Sequence, residues 1–140
     1  MPLHDLVPLY LTPRTPTLSI RRDIQSELFF LDISLDAVCD DLVPFAFTDG
    51  NAGSNNTKFF CNLGKLSEIS WDVISARYWN DYDDGKRKRC SEFLIYPGIK
   101  PRYFERIVVL TAPLAQQCAA TVKQSGVDLK VVVLRDYFFV

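Results

Sequence analysis

The segment Lys86-Arg87-Lys88-Arg89-Cys90-Ser91-Glu92-Phe93-Leu94-Ile95-Tyr96 sets one carboxylate between four consecutive cations and an apolar, aromatic run. Phe, Leu, Ile and Tyr suit a pleated surface, so Cys90 to Tyr96 reads as a buried strand that holds Glu92 on rigid backbone beside a positive loop. That arrangement suits chemistry on an anionic substrate. In most proteins, however, a strand glutamate is an exposed edge residue. A cation run is usually a solvated loop, and here Asp81, Asp83 and Asp84 stand close enough to pair with it.

The rest of the chain must supply the frame for this carboxylate. At 140 residues it is one domain, and 48% hydrophobic, 24% charged and 13% aromatic residues predict a folded core. The net charge of -1 excludes a wholly basic nucleic-acid coat protein and hides the local asymmetry around residue 86. Strands are expected at Val7 to Leu11, Leu28 to Ser34, Phe45 to Thr48, Cys90 to Tyr96, Ile107 to Leu110 and Leu129 to Leu134, the last of them buried. Ser34 offers a cap to a short helix, and Ser70 caps a helix expected from Trp71 to Trp79. In that helix Trp71, Ile74 and Tyr78 share the core face, which leaves Trp79 free to stack on a ligand. A short helix near Pro101 to Glu105 and a longer one from Ala112 to Gln124, ended by Gly126, complete the set. Thr48-Asp49-Gly50-Asn51 has the composition of a turn.

Strands come first and then mix with helices without regular alternation. This predicts an α+β domain with a mainly antiparallel, split β-sheet core and flanking short helices. Cys39, Cys61, Cys90 and Cys118 are widely spaced with no C-x-x-C pair, and no leader or long apolar span is evident, so free thiols and the cytoplasm are expected, with no membrane. His4 is the only histidine and zinc-type spacings are absent, so no metal is expected. Nucleotide-binding glycine loops, the nucleophile elbow and the zincin motif are absent as well.

Four segments in order resemble the DarT family of NAD-dependent DNA ADP-ribosyltransferase toxins. They are His4-Asp5-Leu6-Val7-Pro8-Leu9-Tyr10-Leu11-Thr12-Pro13-Arg14, Phe47-Thr48-Asp49-Gly50-Asn51-Ala52, Trp71-Asp72-Val73-Ile74 with Arg77-Tyr78-Trp79, and Lys86 to Tyr96. Arg135-Asp136-Tyr137-Phe138 also looks like the family's C-terminus. The resemblance implies an ADP-ribosyltransferase fold, with two sheets packed around a cleft for NAD as substrate and a loop before the catalytic glutamate that meets the acceptor. It makes Glu92 that glutamate, where it would stabilise the cation that forms on the ribose as nicotinamide leaves and take a proton from the acceptor base.

The implied acceptor is a base in single-stranded DNA. Lys86, Arg87, Lys88 and Arg89 would contact phosphates, and Tyr78, Trp79 or Tyr82 would stack on the base. Asn51 stands at the DNA side where some relatives carry histidine; its amide can hydrogen-bond but cannot act as an acid. His4 and Tyr10 are the implied NAD contacts. The family's N-terminal segment, with its H-x-T strand and catalytic arginine, lies upstream of the matching region, so residues 1–140 correspond to the C-terminal two thirds of such an enzyme. Two readings follow: a transferase, for which the family commonly has an antitoxin that removes ADP-ribose, or a non-catalytic module that has lost NAD binding and binds single strands or protein.

Overall fold

A computed structural model describes residues 5–40 and 42–140. His4 lies outside the described residues, so the structure does not test its expected NAD contact. Alternation along the strands builds two sheets. The first has the order β1 (Val7–Tyr10), β5 (Glu92–Ile95), β3 (Phe45–Thr48), β4 (Phe59–Phe60) and is antiparallel throughout. The second runs β2 (Phe29–Ile33), β6 (Phe104–Val109), β7 (Lys130–Val133), with β2 and β6 antiparallel and β6 and β7 parallel. The chain thus adopts the expected α+β fold with a split, mainly antiparallel sheet. The one parallel pair among the described residues, β6 and β7, is joined by the long helix between them, as parallel strands require.

Each sheet has its own core. Phe93 and Ile95 of β5 join Phe47, Ala37, Val38, Ile69, Ile74 and Tyr103, while Leu18, Val108, Leu110 and Phe138 cluster on the second sheet. Phe47 stacks on Phe93 at 5.7 Å and on Phe60 at 5.5 Å between ring centroids, and Phe45 stacks on Phe93 at 5.5 Å. A one-residue slip of β5 would turn Phe93 and Ile95 out of the core and away from the Phe45 and Phe47 rings, so this packing fixes the register that places Glu92.

The helices are short: α1 (Pro16–Ser19), α2 (Asp36–Cys39), α3 (Trp71–Ser75) and α4 (Gly85–Arg89), against the thirteen residues of α5 (Ala112–Gln124). Hydroxyls cap α1 and α5, and before α2 the Ser34 hydroxyl bonds one residue ahead of the Leu35 cap. Thr15 Oγ1 accepts from Leu18 N at 3.3 Å, Ser34 Oγ from Asp36 N at 3.1 Å, and Thr111 Oγ1 from Leu114 N at 3.5 Å. Ser70 makes no such side-chain bond, contrary to expectation.

Other expectations need correction. The helix expected to reach Trp79 ends at Ser75, and of its supposed core face only Ile74 is buried, with Trp71 43% and Tyr78 47% exposed. The last strand, expected to be buried, is the half-exposed edge of the second sheet. The positive loop is the helical turn α4. Its entry needs Gly85, because a β-carbon there would overlap the carbonyl oxygen of Trp79. Among the described residues no helix is long and apolar enough to cross a membrane.

Candidate active site

Glu92 opens β5, a central strand, opposite Tyr10 of β1. Because Phe93 and Ile95 point into the core, Glu92 projects from the other face. Its backbone N–H donates to Thr48 Oγ1 at 2.9 Å, and that hydroxyl, fully buried, donates to Gly50 O at 2.6 Å. Ala52 N–H donates to Glu92 Oε2 at 3.2 Å. Burial pushes the carboxyl above its ordinary range, and the Ala52 N–H opposes that shift. Oε1 has no protein partner among the described residues. A carboxylate held at one oxygen and open at the other is placed to meet a developing cation or an acceptor proton.

The four cations divide into two kinds. Arg89 is 1% exposed; its Nε donates to Arg14 O at 2.8 Å, and its Nη1 to Val73 O at 2.6 Å and Ala76 O at 2.5 Å. Burial, then the neighbouring Arg14 charge, lowers its pKa. The expected phosphate contact at Arg89 is therefore corrected: the guanidinium is spent on three backbone carbonyls inside the protein. Arg87 is held by Asp84 at 2.6 Å and Asp49 at 3.3 Å, and donates to Thr57 Oγ1 at 2.9 Å. Burial works against its charge, but the bonds to Asp84 and Asp49 outweigh it and raise its pKa. Lys86 and Lys88 form no ion pair among the described residues, and Lys86 is exposed.

The loop at 49–58 carries Asn51, which is exposed, but its amide oxygen is taken by Gly53 N at 2.9 Å in a tight turn. Tyr82, 37% exposed, lies in the turn before α4. Trp79 is not the free ring expected: it is half-buried, edge-on to Phe139 at 6.0 Å, with the Arg89 guanidinium 5.7 Å from its centroid. Tyr78 is the exposed member, stacked on Phe139 at 6.5 Å and flanked by Arg77 at 5.7 Å, while Arg22 lies 4.3 Å over Phe139. Arg22 has no carboxylate partner among the described residues, while Arg77 Nη2 donates to Val140 O at 3.1 Å. This ledge of aromatic faces and guanidinium groups was missed from the sequence, since Arg22, the 77–79 segment and Phe139 come from three distant parts of the chain.

Between the open edges of β1 and β2 lies a groove of about 530 Å³, lined by Tyr10, Pro13, Phe30, Ile33, Phe93 and Arg106 among others. Tyr10 links it to Glu92 as register partner, although Glu92 itself is not part of the lining. In the groove wall Arg106 Nε meets Asp32 at 2.8 Å, Tyr137 donates to Asp32 at 2.7 Å, and Arg106 Nη2 donates to the Tyr137 hydroxyl at 3.1 Å. These partners hold the Arg106 charge firmly, and burial, then the bond to Asp32, raises the Tyr137 pKa. Sequence gave no signal for this cluster beyond the Arg135-Asp136-Tyr137-Phe138 ending. Among the described residues no group of three or more His, Cys, Asp or Glu side chains is gathered for a metal.

The family model for "ssDNA thymidine ADP-ribosyltransferase, DarT" matches residues 1–139. A DNA ADP-ribosyl transferase of Thermus sp. (strain 2.9) is 31% identical over 129 residues, which cover 87% of this chain and 62% of that protein. A DNA ADP-ribosyl transferase-DNA ADP-ribosyl glycohydrolase fusion protein of Thermosipho africanus is 30% identical over 136 residues, 91% of this chain and 33% of the fusion. Thermus sp. 2.9 DarT solved with NAD+ superposes with a TM-score of 0.91 at 28% identity, over 98% of this chain and 74% of that one. With ADP-ribosylated single-stranded DNA the same protein gives 0.90, over 98% and 70%. The chain spans less than two thirds of the length of the curated Thermus relative. Match, order of segments and shared architecture agree: this chain belongs to the DarT family.

Proposed function

We propose that the chain transfers ADP-ribose from NAD to a base of single-stranded DNA, with Glu92 as the catalytic carboxylate. The observation that carries this reading is Glu92 itself: half-buried on a central strand, held at Oε2 by Ala52 N–H and open at Oε1. When the bond from ribose to nicotinamide breaks, its electron pair leaves with the nicotinamide and positive charge builds on the sugar, which a fixed carboxylate stabilises. The acceptor nitrogen then bonds to the sugar carbon and its proton passes to Glu92.

The groove between β1 and β2 is where we place NAD. Its volume lies within the roughly 300–1,000 Å³ usual for small-molecule sites. Tyr10 would border the reacting end, and Arg106 supplies an Nη1 with no partner among the described residues for a phosphate oxygen. Lys86 and Lys88 fit phosphates of the DNA strand, and Tyr78, Tyr82 and exposed Asn51 fit its bases. An antitoxin that removes ADP-ribose is a fitting partner, since the Thermosipho relative's name joins a transferase and a glycohydrolase in one chain. A cytoplasmic site of action fits a DNA substrate.

The test is to incubate the full chain with NAD and mixed single-stranded oligonucleotides and weigh the products. A mass gain of one ADP-ribose is expected, and Glu92→Ala should slow its formation on the order of a thousandfold. No adduct, with NAD binding absent by calorimetry and salt-sensitive strand binding retained, would instead establish the non-catalytic binding module.

A further inference from the structure

We propose that Arg87 is a positioning residue for Glu92, acting through the 49–58 loop, and not a contact for nucleic-acid phosphate. The inference rests on the reading of Glu92 given above. Arg87 grips the loop at three points. Its guanidinium meets Asp49 Oδ1 at 3.3 Å and Thr57 Oγ1 at 2.9 Å, near the loop's two ends, and its backbone carbonyl accepts from Asn51 N at 3.0 Å. Asp49 Oδ1 also accepts from Lys58 N at 2.9 Å, and Thr57 Oγ1 donates to Asn51 O at 2.6 Å, so both side-chain partners of Arg87 close the loop on itself. From the other side Asp84 Oδ2 fixes the guanidinium at 2.6 Å.

The loop delivers its effect through the residue after Asn51, because Ala52 N–H is the group that holds Glu92 Oε2. Gly50 is part of the same device. A β-carbon there would overlap the Arg87 guanidinium, so the clamp needs both the arginine and the absence of a side chain opposite it. Asp84 adopts φ 54, a left-handed conformation that aspartate tolerates better than most residues, and from there its carboxylate reaches Arg87. With three guanidinium bonds to its own protein, Arg87 has only Nη2 left for a phosphate. The run of four cations therefore contains one clamp, one internal brace, an exposed lysine at 86 and a half-buried one at 88.

The test compares Arg87→Met, Gly50→Ala and the double variant Lys86→Ala/Lys88→Ala in the full chain. Three readouts are taken: exchange of the Ala52 amide proton by NMR, the Glu92 side-chain titration by carbon NMR, and strand affinity. Arg87→Met and Gly50→Ala are both expected to speed Ala52 exchange at least tenfold and to move the Glu92 titration upward. Strand affinity should stay within about twofold, and transfer should slow on the order of a hundredfold in kcat with little change in KM for DNA. The lysine variant should do the reverse, weakening strand binding with Ala52 and Glu92 unmoved.

Unchanged Ala52 exchange and Glu92 titration in Arg87→Met overturn the proposal, as does a loss of strand affinity matching that of the lysine variant. Should Arg87→Met not fold, Gly50→Ala and Asp84→Asn give the same readouts. The two NMR measurements do not depend on turnover, so failure of the clamp and failure of the transferase reading are separable.

Discussion

Glu92 is caught between burial, which favours its neutral form, and one backbone N–H, which favours its charge. The first prevails, so the native carboxyl holds its proton more tightly than an ordinary glutamate at 4.5. A raised native value contributes stability that is complete below 4.5 and disappears as pH rises through that native value. Glu92→Gln is therefore expected to raise Tm near neutral pH, with the gain fading at about pH 4, as thermal denaturation at the two conditions would record. An unchanged or lowered Tm at neutral pH would contradict the strain assigned to this charge. The same variant should be inactive, and wild-type transfer should decline as pH falls through the raised carboxyl value. The place of Glu92 at the head of an apolar strand was legible in the residues, but its role was implied only by the family resemblance, since a strand glutamate is usually an exposed edge residue. Ala52 was not legible, since the group that acts is a backbone N–H and carries no side-chain signature.

The least legible elements are α3 and α4, and one residue explains both. Arg89 donates to Val73 O and to Ala76 O, so carbonyls at the end of α3 face a guanidinium and the helix stops at Ser75. The same bonds fold 85–89 into a helical turn, although glycine followed by four cations has little intrinsic tendency to do so. A run of like charges has no marker for which member faces inward. By contrast, β3 and α5 fall where expected, because strand-forming phenylalanines and a helix-forming run closed by Gly126 are local signals. Arg89→Met would leave buried carbonyls without donors, and a loss of about 3 kcal/mol is expected from urea denaturation. A loss below about 1 kcal/mol would mean that the brace is dispensable.

Across the whole molecule a net charge of -1 coexists with Arg22, Lys86 and Lys88, which have no carboxylate partners among the described residues. Single-strand binding should therefore depend on salt, each phosphate contact contributing a slope of about -0.7 in log K against log salt. Lys86→Ala/Lys88→Ala is expected to flatten that slope by about 1.4, measured by fluorescence anisotropy over a salt series; an unchanged slope would remove both lysines from the interface. The division into two sheets could be read from strand order, but their pairing could not, because register is set by contacts between distant segments such as β1 and β5. Those pairings leave four outer strands, and each is unfit to recruit a neighbouring copy. Pro8 withholds a donor from β1, β4 is only two residues long, Asp32 puts a charge in β2, and Lys130 does so in β7. Such margins discourage intermolecular sheet growth, so the protein can keep a wide groove open between two of its strands without becoming a seed for aggregation.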